Sequence, residues 1–325
     1  MTVHYAIGVD VGGSSAKLGI VSQAGEILFH HKLPTPAFDQ PTHVAEGYAQ
    51  GIDLVLDRCR DMGIQPAGIG IGMPGNISLD RRSATLNNVQ ILDNFPLADF
   101  LSPRLDLPVE LDNDGTLAAL AEYHHGGGRN ARRLLVVTVG SGLGVGLVVN
   151  GQAQRPVRGC IGDPGHMIVE PDSPWRCGLG CQGCLETVTS SLAIQREATA
   201  LARRFPDSEL ARLDQPDGAV VTAQVIDAAI RGDPLARDVL EQTGRWLGIG
   251  LTSWCYFFDP DLVLIGGGVS AAGELLLAPI RRTMADRALP AYAGHAQVGL
   301  AQLGNDAGLI GAASLFLNYP TEEQS

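Results

Sequence analysis

The sequence predicts an α/β protein of two domains, each with a β-sheet flanked by helices. Its 325 residues exceed the roughly 250–300 that one hydrophobic core usually holds. A helical pattern at His43–Met62 stands between strand-like segments at Tyr5–Val9 and Gly68–Gly72, and a helix between two strands is typical of a parallel connection. A repeat within the chain is the third observation.

A strand, a glycine turn and a second strand occur twice. The two copies are Tyr5–Val9, Gly12 and Ala16–Val21, and Leu134–Val139, Gly140 and Val145–Val149. Asp10 aligns with Thr138 at an offset of 128 residues, and Gly12 aligns with Gly140 at the same offset. This indicates an internal duplication, with two similar domains facing each other across a cleft. Two unrelated glycine hairpins are the alternative.

The remaining elements follow from the same patterns. Strands are expected at Ile27–His31, Val109–Leu111 and Asp261–Ile265, and helices at Leu117–Tyr123, within Leu192–Trp254, after Gly268 to about Arg282, and at Gly308–Phe316.

Composition favours small-molecule chemistry. A net charge of −12 and a pI near 5.0 repel nucleic-acid phosphates and anionic lipids. The segment Met1–Asp10 has no basic region typical of a signal peptide, and no apolar run approaches the roughly 20 residues of a membrane helix. We therefore expect a cytoplasmic protein that binds neither nucleic acid nor membrane.

A cysteine cluster predicts a metal site. Cys177, Cys181 and Cys184 lie close together, and His166 lies eleven positions before Cys177. Three thiolates and one imidazole form a closed tetrahedral set, which is typical of structural rather than catalytic Zn²⁺. Free cysteines in a loop are the alternative.

Motifs along nearly the whole chain resemble those of one family. In order they are IGVDVGGSSAK, GIGMPG, LDNDGTLAALAE, VTVGSGLGVG, GHMIVEPDS, GCLE, LVLIGGGVS and NDAGLIGAA. Together they resemble the ROK family of bacterial sugar kinases and related repressors. The resemblance implies the actin-like ATPase (ribonuclease H-like) fold, with two α/β domains around a central cleft. We expect domains at residues 1–115 and 116–308, with a C-terminal helix at about 309–325 packing back on the first.

The glycine turns are candidates for ATP binding. Absence of a Cβ lets backbone N–H groups approach phosphate oxygens, although ordinary turns would have the same sequence. Neither turn is a P-loop or a Rossmann fingerprint. The resemblance implies ATP contacts at Asp10, Gly12, Gly13, Ser14, Lys17, Gly140, Ser141, Gly142, Gly266, Gly267 and Gly268. Asp10 is expected to hold Mg²⁺, with an Asx-type turn as its alternative role, and Lys17 otherwise lies on the solvated side of a strand.

The resemblance also implies a sugar site. Asp114, after a short strand and before a helix, is expected to be the general base. A simple helix cap is the alternative role for Asn113 or Asp114. Sugar contacts are expected from Gly75, Asn88, Asn113, Asp114, Asp163, His166 and Glu186. The choice between Asn87 and Asn88 is open, because the following segment is one residue longer than the family pattern.

Two positions depart from the family pattern. Leu179 stands where the family has a cysteine, so we expect Cys181 to replace that metal ligand. Asp163 stands where the family has glutamate, and a side chain one methylene shorter favours a water-mediated contact or a different sugar stereochemistry.

The predicted function is an ATP-dependent hexose kinase, with glucose as the first substrate. N-acetylmannosamine, fructose, mannose and allose are alternatives. A sugar-responsive regulator would need a DNA-binding helix-turn-helix, and only nine residues precede Asp10. A sugar-binding protein without catalysis would not need the nucleotide turns. The resemblance further suggests a homodimer.

Overall fold

The structure is a computed structural model that describes residues 4–12, 15–34, 40–85, 90–155, 163–213 and 220–317. By its contacts the chain divides into two compact units. The first comprises Met1–Arg132, Gly146–Gly162 and Leu303–Ser325, and the second comprises Arg133–Val145 and Asp163–Gln302.

The described residues form strands and helices where the hydrophobic patterns predict them, together with short elements that the patterns do not predict. The strands are β1 (Tyr5–Val11), β2 (Ser15–Ser22), β3 (Ile27–Pro34), β4 (Pro66–Met73), β5 (Asn76–Ile77), β6 (Ala84–Thr85), β7 (Val109–Asn113), β8 (Arg133–Val139), β9 (Leu143–Val149), β10 (Gln152–Ala153), β11 (Leu262–Gly266) and β12 (Gln297–Leu300). The helices are α1 (Pro41–Asp61), α2 (Leu97–Leu105), α3 (Asp114–His125), α4 (Glu186–Thr189), α5 (Ser191–Arg204), α6 (Glu209–Leu213), α7 (Thr222–Arg231), α8 (Pro234–Phe258), α9 (Glu274–Arg287) and α10 (Ala307–Ala313).

Both large sheets have the same design. The first has the order β3-β2-β1-β4-β7, with antiparallel β1–β2 and β2–β3 pairs and parallel β1–β4 and β4–β7 pairs. The second has the order β10-β9-β8-β11-β12, in which β11 is parallel to both β8 and β12. Asp10 pairs with Gly72 in the first sheet, and Thr138 pairs with Gly266 in the second. The shared order confirms the duplication expected from the repeated glycine turns.

The first sheet is covered on both faces. Ile7 and Val9 of β1 belong to a core cluster that includes residues of α1 and α2. Ala6 belongs to a second cluster, formed with residues of α3 and α10. This division follows from the alternation of side chains along a strand.

Two strand glycines allow the backbone of α10 to lie directly on the sheet. A Cβ at Gly8 would overlap the carbonyl of Leu309, and a Cβ at Gly70 would overlap that of Ala312. These close approaches account for part of the high glycine content, because a side chain at either strand position would displace the helix.

In the second unit, α8 packs against α9, α7 and α5. Buried residues of β11 and α8 form its apolar interior, among them Val263, Ile265, Leu247, Leu251 and Trp254. No helix among the described residues is long and apolar enough to span a membrane.

Candidate active site

Asp10 lies at the end of β1 in a partly buried position beside a cation. Its Oδ2 atom is 3.7 Å from Nζ of Lys17, and the two residues are paired in the β1–β2 register. Lys17 also donates a hydrogen bond of 2.6 Å to the carbonyl of Asn305. Burial raises the pKa of the Asp10 carboxyl, and Lys17 opposes that change. The carboxylate is therefore at a place where a further positive charge would stabilise it.

The first glycine turn is described only in part. Gly12 donates a backbone hydrogen bond of 3.0 Å to Ser15, which closes the turn between β1 and β2. A Cβ at Gly308, at the start of α10, would lie 2.6 Å from Cγ of Asp10, so the carboxyl group rests against that backbone. Gly13 and Ser14 lie outside the described residues.

Asn113, rather than Asp114, caps α3. The Asn113 side chain accepts a hydrogen bond of 3.0 Å from the N–H of Thr116 and donates one of 3.0 Å to the carbonyl of Gly75. Asp114 begins the helix, and its Oδ1 accepts a hydrogen bond of 2.8 Å from the N–H of Gly115. The structure therefore brings Gly75, Asn113 and Asp114 together and assigns the capping role to the asparagine.

A buried ion pair supports this corner. Asp112 is fully buried and accepts hydrogen bonds of 2.7 Å from Nε of Arg155 and 2.8 Å from the N–H of Asn113. Arg155 carries no motif, so the sequence did not identify it. The available signal was Asp112 itself, because an aspartate that follows Leu111 in a predicted strand needs a charged partner when it is buried.

The second glycine turn is held by residues of α4 and α5. Gly140 donates a hydrogen bond of 2.9 Å to the carbonyl of Gly142 and accepts one of 2.7 Å from the N–H of Ser191. Oε2 of Glu186 accepts a hydrogen bond of 2.9 Å from the N–H of Leu143. The expected sugar ligand Glu186 thus contacts the turn expected to bind phosphate, and Ser191 was not identified from the sequence.

A cavity connects the second glycine turn with the turn after β11. It has a volume of about 250 Å³, and its lining includes Gly140, Ser191, Thr222, Ile226, Gly268 and Val269. Gly267, the residue before Gly268, has a φ of 78°. A Cβ on Gly267 would lie 2.5 Å from the carbonyl oxygen of Val139. The cavity is mainly apolar and smaller than the usual 300–1,000 Å³ of sites that enclose a whole ligand.

The predicted metal ligands are close together. Nδ1 of His166 is 3.6 Å from Sγ of Cys177 and 3.8 Å from Sγ of Cys184, and ligand atoms of His166, Cys177 and Cys181 lie within 4.8 Å of one another. Tetrahedral Zn²⁺ with usual bond lengths sets a nitrogen-to-sulfur separation of about 3.6 Å. Leu179 is 47% exposed and belongs to no such cluster.

Other expected sugar ligands are placed as follows. Asp163 is exposed, and its backbone carbonyl accepts a hydrogen bond of 2.9 Å from the N–H of His166. His166 turns Nδ1 toward the cysteines, which leaves Nε2 for a different contact. Asn88 lies outside the described residues, as does its alternative Asn87.

The two large sheets share one strand order, and a glycine turn follows β1 in the first sheet and β8 in the second. These features define a protein of the actin-like ATPase fold. The ROK family model matches residues 6–319, and the chain belongs to the ROK family. It is 38% identical over 317 residues to a glucokinase of Halalkalibacterium halodurans, covering 97% of this chain and 96% of the relative.

Similar structures agree with this relationship. A ROK family glucokinase from Streptomyces griseus, solved in complex with glucose and AMPPNP, is 34% identical with a TM-score of 0.83, covering 96% of this chain and 99% of the other. The Escherichia coli transcriptional regulator NagC is more distant, at 28% identity over 96% of this chain and 75% of the regulator. The predictions of the fold, the family and a sugar kinase are confirmed.

Proposed function

We propose that the protein is a glucokinase that transfers the γ-phosphate of ATP to glucose and forms glucose 6-phosphate. The observation that supports this most directly is the division of roles at the start of α3. Because Asn113 caps the helix, the Asp114 carboxylate is not needed as a cap and can accept a proton. A carboxylate base beside sugar-binding groups is what phosphoryl transfer to a hydroxyl requires.

Asp114 accepts the proton of the attacking hydroxyl, and the helix dipole of α3 favours its negative charge. Asn113 orients the sugar through the second N–H of its amide, since Nδ2 donates one hydrogen bond to Gly75 and Oδ1 already accepts two from Thr116. Gly75, Asn88, Asp163, His166 and Glu186 are the further proposed sugar contacts.

ATP is held by the glycine turns in this proposal. Gly12, Gly13, Ser14, Lys17, Gly140, Ser141 and Gly142 are the proposed phosphate contacts. The cavity beside Gly140 and Gly268 takes the adenine ring, with Gly266 and Gly267 shaping its edge. Asp10 would hold Mg²⁺, which would neutralise phosphate charge, and the partly buried carboxylate suits that ion.

The metal cluster is proposed to be a structural zinc site. His166, Cys177, Cys181 and Cys184 supply the closed four-ligand set in this proposal. The separations of 3.6 Å and 3.8 Å from Nδ1 of His166 to the sulfurs of Cys177 and Cys184 support it, as does the proximity of Cys181 to His166 and Cys177. We further propose a cytoplasmic homodimer that binds no nucleic acid.

N-acetylmannosamine or another hexose is the second candidate substrate, because Asp163 is shorter than the family's glutamate. The decisive experiment measures ADP release with Mg²⁺-ATP against glucose, mannose, fructose, allose and N-acetylhexosamines. We expect turnover with glucose and loss of at least about a hundredfold in kcat for Asp114→Asn. Asp57→Asn, an exposed carboxylate of α1, is the matched control. Full turnover by Asp114→Asn would contradict the mechanism.

A further inference from the structure

Both ends of the turn at Gly140–Leu143 form hydrogen bonds with one short segment of the second unit, residues 186–191. The N–H of Ser191 donates to the carbonyl of Gly140 at 2.7 Å, and the N–H of Leu143 donates to Oε2 of Glu186 at 2.9 Å. The first is a backbone contact. The second depends on one carboxylate side chain, so it can be removed without altering the main chain.

Glu186 packs against the turn as well as bonding to it. A Cβ on Gly142 would lie 2.6 Å from Oε2 of Glu186, so the carboxylate occupies the space that any other residue at position 142 would fill. A hydrogen bond from a backbone N–H to a charged acceptor is stronger than one between neutral groups. The carboxylate therefore fixes Leu143 and leaves the glycine backbone little room to move toward it.

The position of Glu186 is set by the metal loop. Cys184, two residues earlier, is completely buried and faces His166, and Leu185 is also completely buried. The N–H of Leu185 donates a hydrogen bond of 2.9 Å to the carbonyl of Met167, the residue after His166. Glu186 thus extends from a point fixed by contacts on both sides of the cysteine cluster.

We propose that Glu186 is a positioning residue for the ATP phosphate turn, and that the metal loop acts on nucleotide binding through it. This inference rests on the proposed function, since it requires the turn at Gly140–Leu143 to bind ATP. It differs from the sugar contact expected at Glu186, because it predicts an effect on nucleotide affinity when no sugar is present.

The test is calorimetric titration of the full zinc-loaded chain with Mg²⁺-AMPPNP in the absence of sugar. We expect Glu186→Ala to weaken binding about tenfold, the loss expected from one hydrogen bond to a charged acceptor. Glu186→Gln keeps an acceptor oxygen and should stay within about threefold of the unmodified protein. Glu197→Ala removes an exposed carboxylate of α5 and is the matched control.

A double-mutant cycle isolates the contact. Gly142→Ala should weaken AMPPNP binding in the unmodified protein, because the methyl group displaces the carboxylate, and should weaken it much less when Glu186 is already alanine. Chelation of the metal should likewise weaken AMPPNP binding in the unmodified protein and add little in Glu186→Ala.

The outcomes separate this inference from the proposed function. If the unmodified protein binds AMPPNP and folded Glu186→Ala binds it equally well, the positioning role is wrong while the kinase remains. Additive effects of Gly142→Ala and Glu186→Ala on AMPPNP affinity would also overturn the positioning role of Glu186. The double-mutant cycle does not require either variant to be as stable as the unmodified protein. If the unmodified protein binds no nucleotide, the proposed function fails and this inference fails with it.

Discussion

Removing Arg155 should destabilise the corner that carries Asn113 and Asp114. The Asp112 side chain is 1% exposed and the Arg155 side chain 20% exposed, so Arg155→Met leaves a carboxylate in an apolar interior with the N–H of Asn113 as its other described contact. Breaking a buried pair in this way costs about 3–5 kcal/mol. Because Arg155 is partly open to water, we expect the lower end, about 3 kcal/mol.

Thermal unfolding measures this directly. A loss of about 3 kcal/mol corresponds to a Tm decrease of roughly 6–12 °C for a domain of 150–250 residues. The double variant Asp112→Asn/Arg155→Met should recover much of the loss, because no unpaired charge remains. Arg60→Met, whose partner Asp57 is exposed, is the control and should change Tm little. A Tm for Arg155→Met within about 1 °C of the unmodified protein would refute the reasoning.

Three other predictions concern single positions. Gly70→Ala should prevent stable folding, because the added Cβ overlaps the carbonyl of Ala312. Gly299→Ala in β12 is the control, because its Cβ meets only ordinary contact at 3.6 Å. Expression and circular dichroism compare the two variants, and equal Tm values would argue against the close packing of α10. Asp10→Asn should raise Tm at pH 7 while lowering activity. Burial raises the pKa of the Asp10 carboxyl, so its ionisation costs stability as pH rises through the folded pKa. The Tm advantage of the variant should therefore shrink toward pH 3, and an advantage independent of pH would contradict this cause. Cys181→Ser should lower the zinc content that remains after challenge with a chelator, and Cys59→Ala is the control outside the loop. If Cys181→Ser still held one tightly bound zinc per chain, Cys181 would not be a ligand.

The sheets were largely predictable because their signals are local. Alternating apolar residues and glycine turns place β1, β2, β8 and β9 to within a few residues, and the offset of 128 residues anticipates the common strand order. The short strands β5, β6 and β10, the strand β12 and the helices α2 and α4 were not predicted. Two-residue strands carry no period, and the nine residues of α2 include Pro103, which interrupts a helical pattern.

The features of the candidate site were also predictable only in part. Cysteine spacing was enough to indicate a metal cluster, and the Asn113–Asp114 pair marked the start of a helix. Sequence could not decide which of those two residues is the cap, because both types accept the same hydrogen bond. The contacts of Asn113 with Thr116 and Gly75 decided it.

By itself the sequence determined the fold class, the duplicated glycine turns and the family, since each depends on residue type and spacing along the chain. Tertiary structure alone decided that Arg155 neutralises Asp112, and that Glu186 reaches the backbone of Leu143, both across 43 residues. It also decided that α10 lies against Gly8 and Gly70. Such pairings leave little trace in spacing, because they are set by how strands and helices stack and not by the local pattern of either partner.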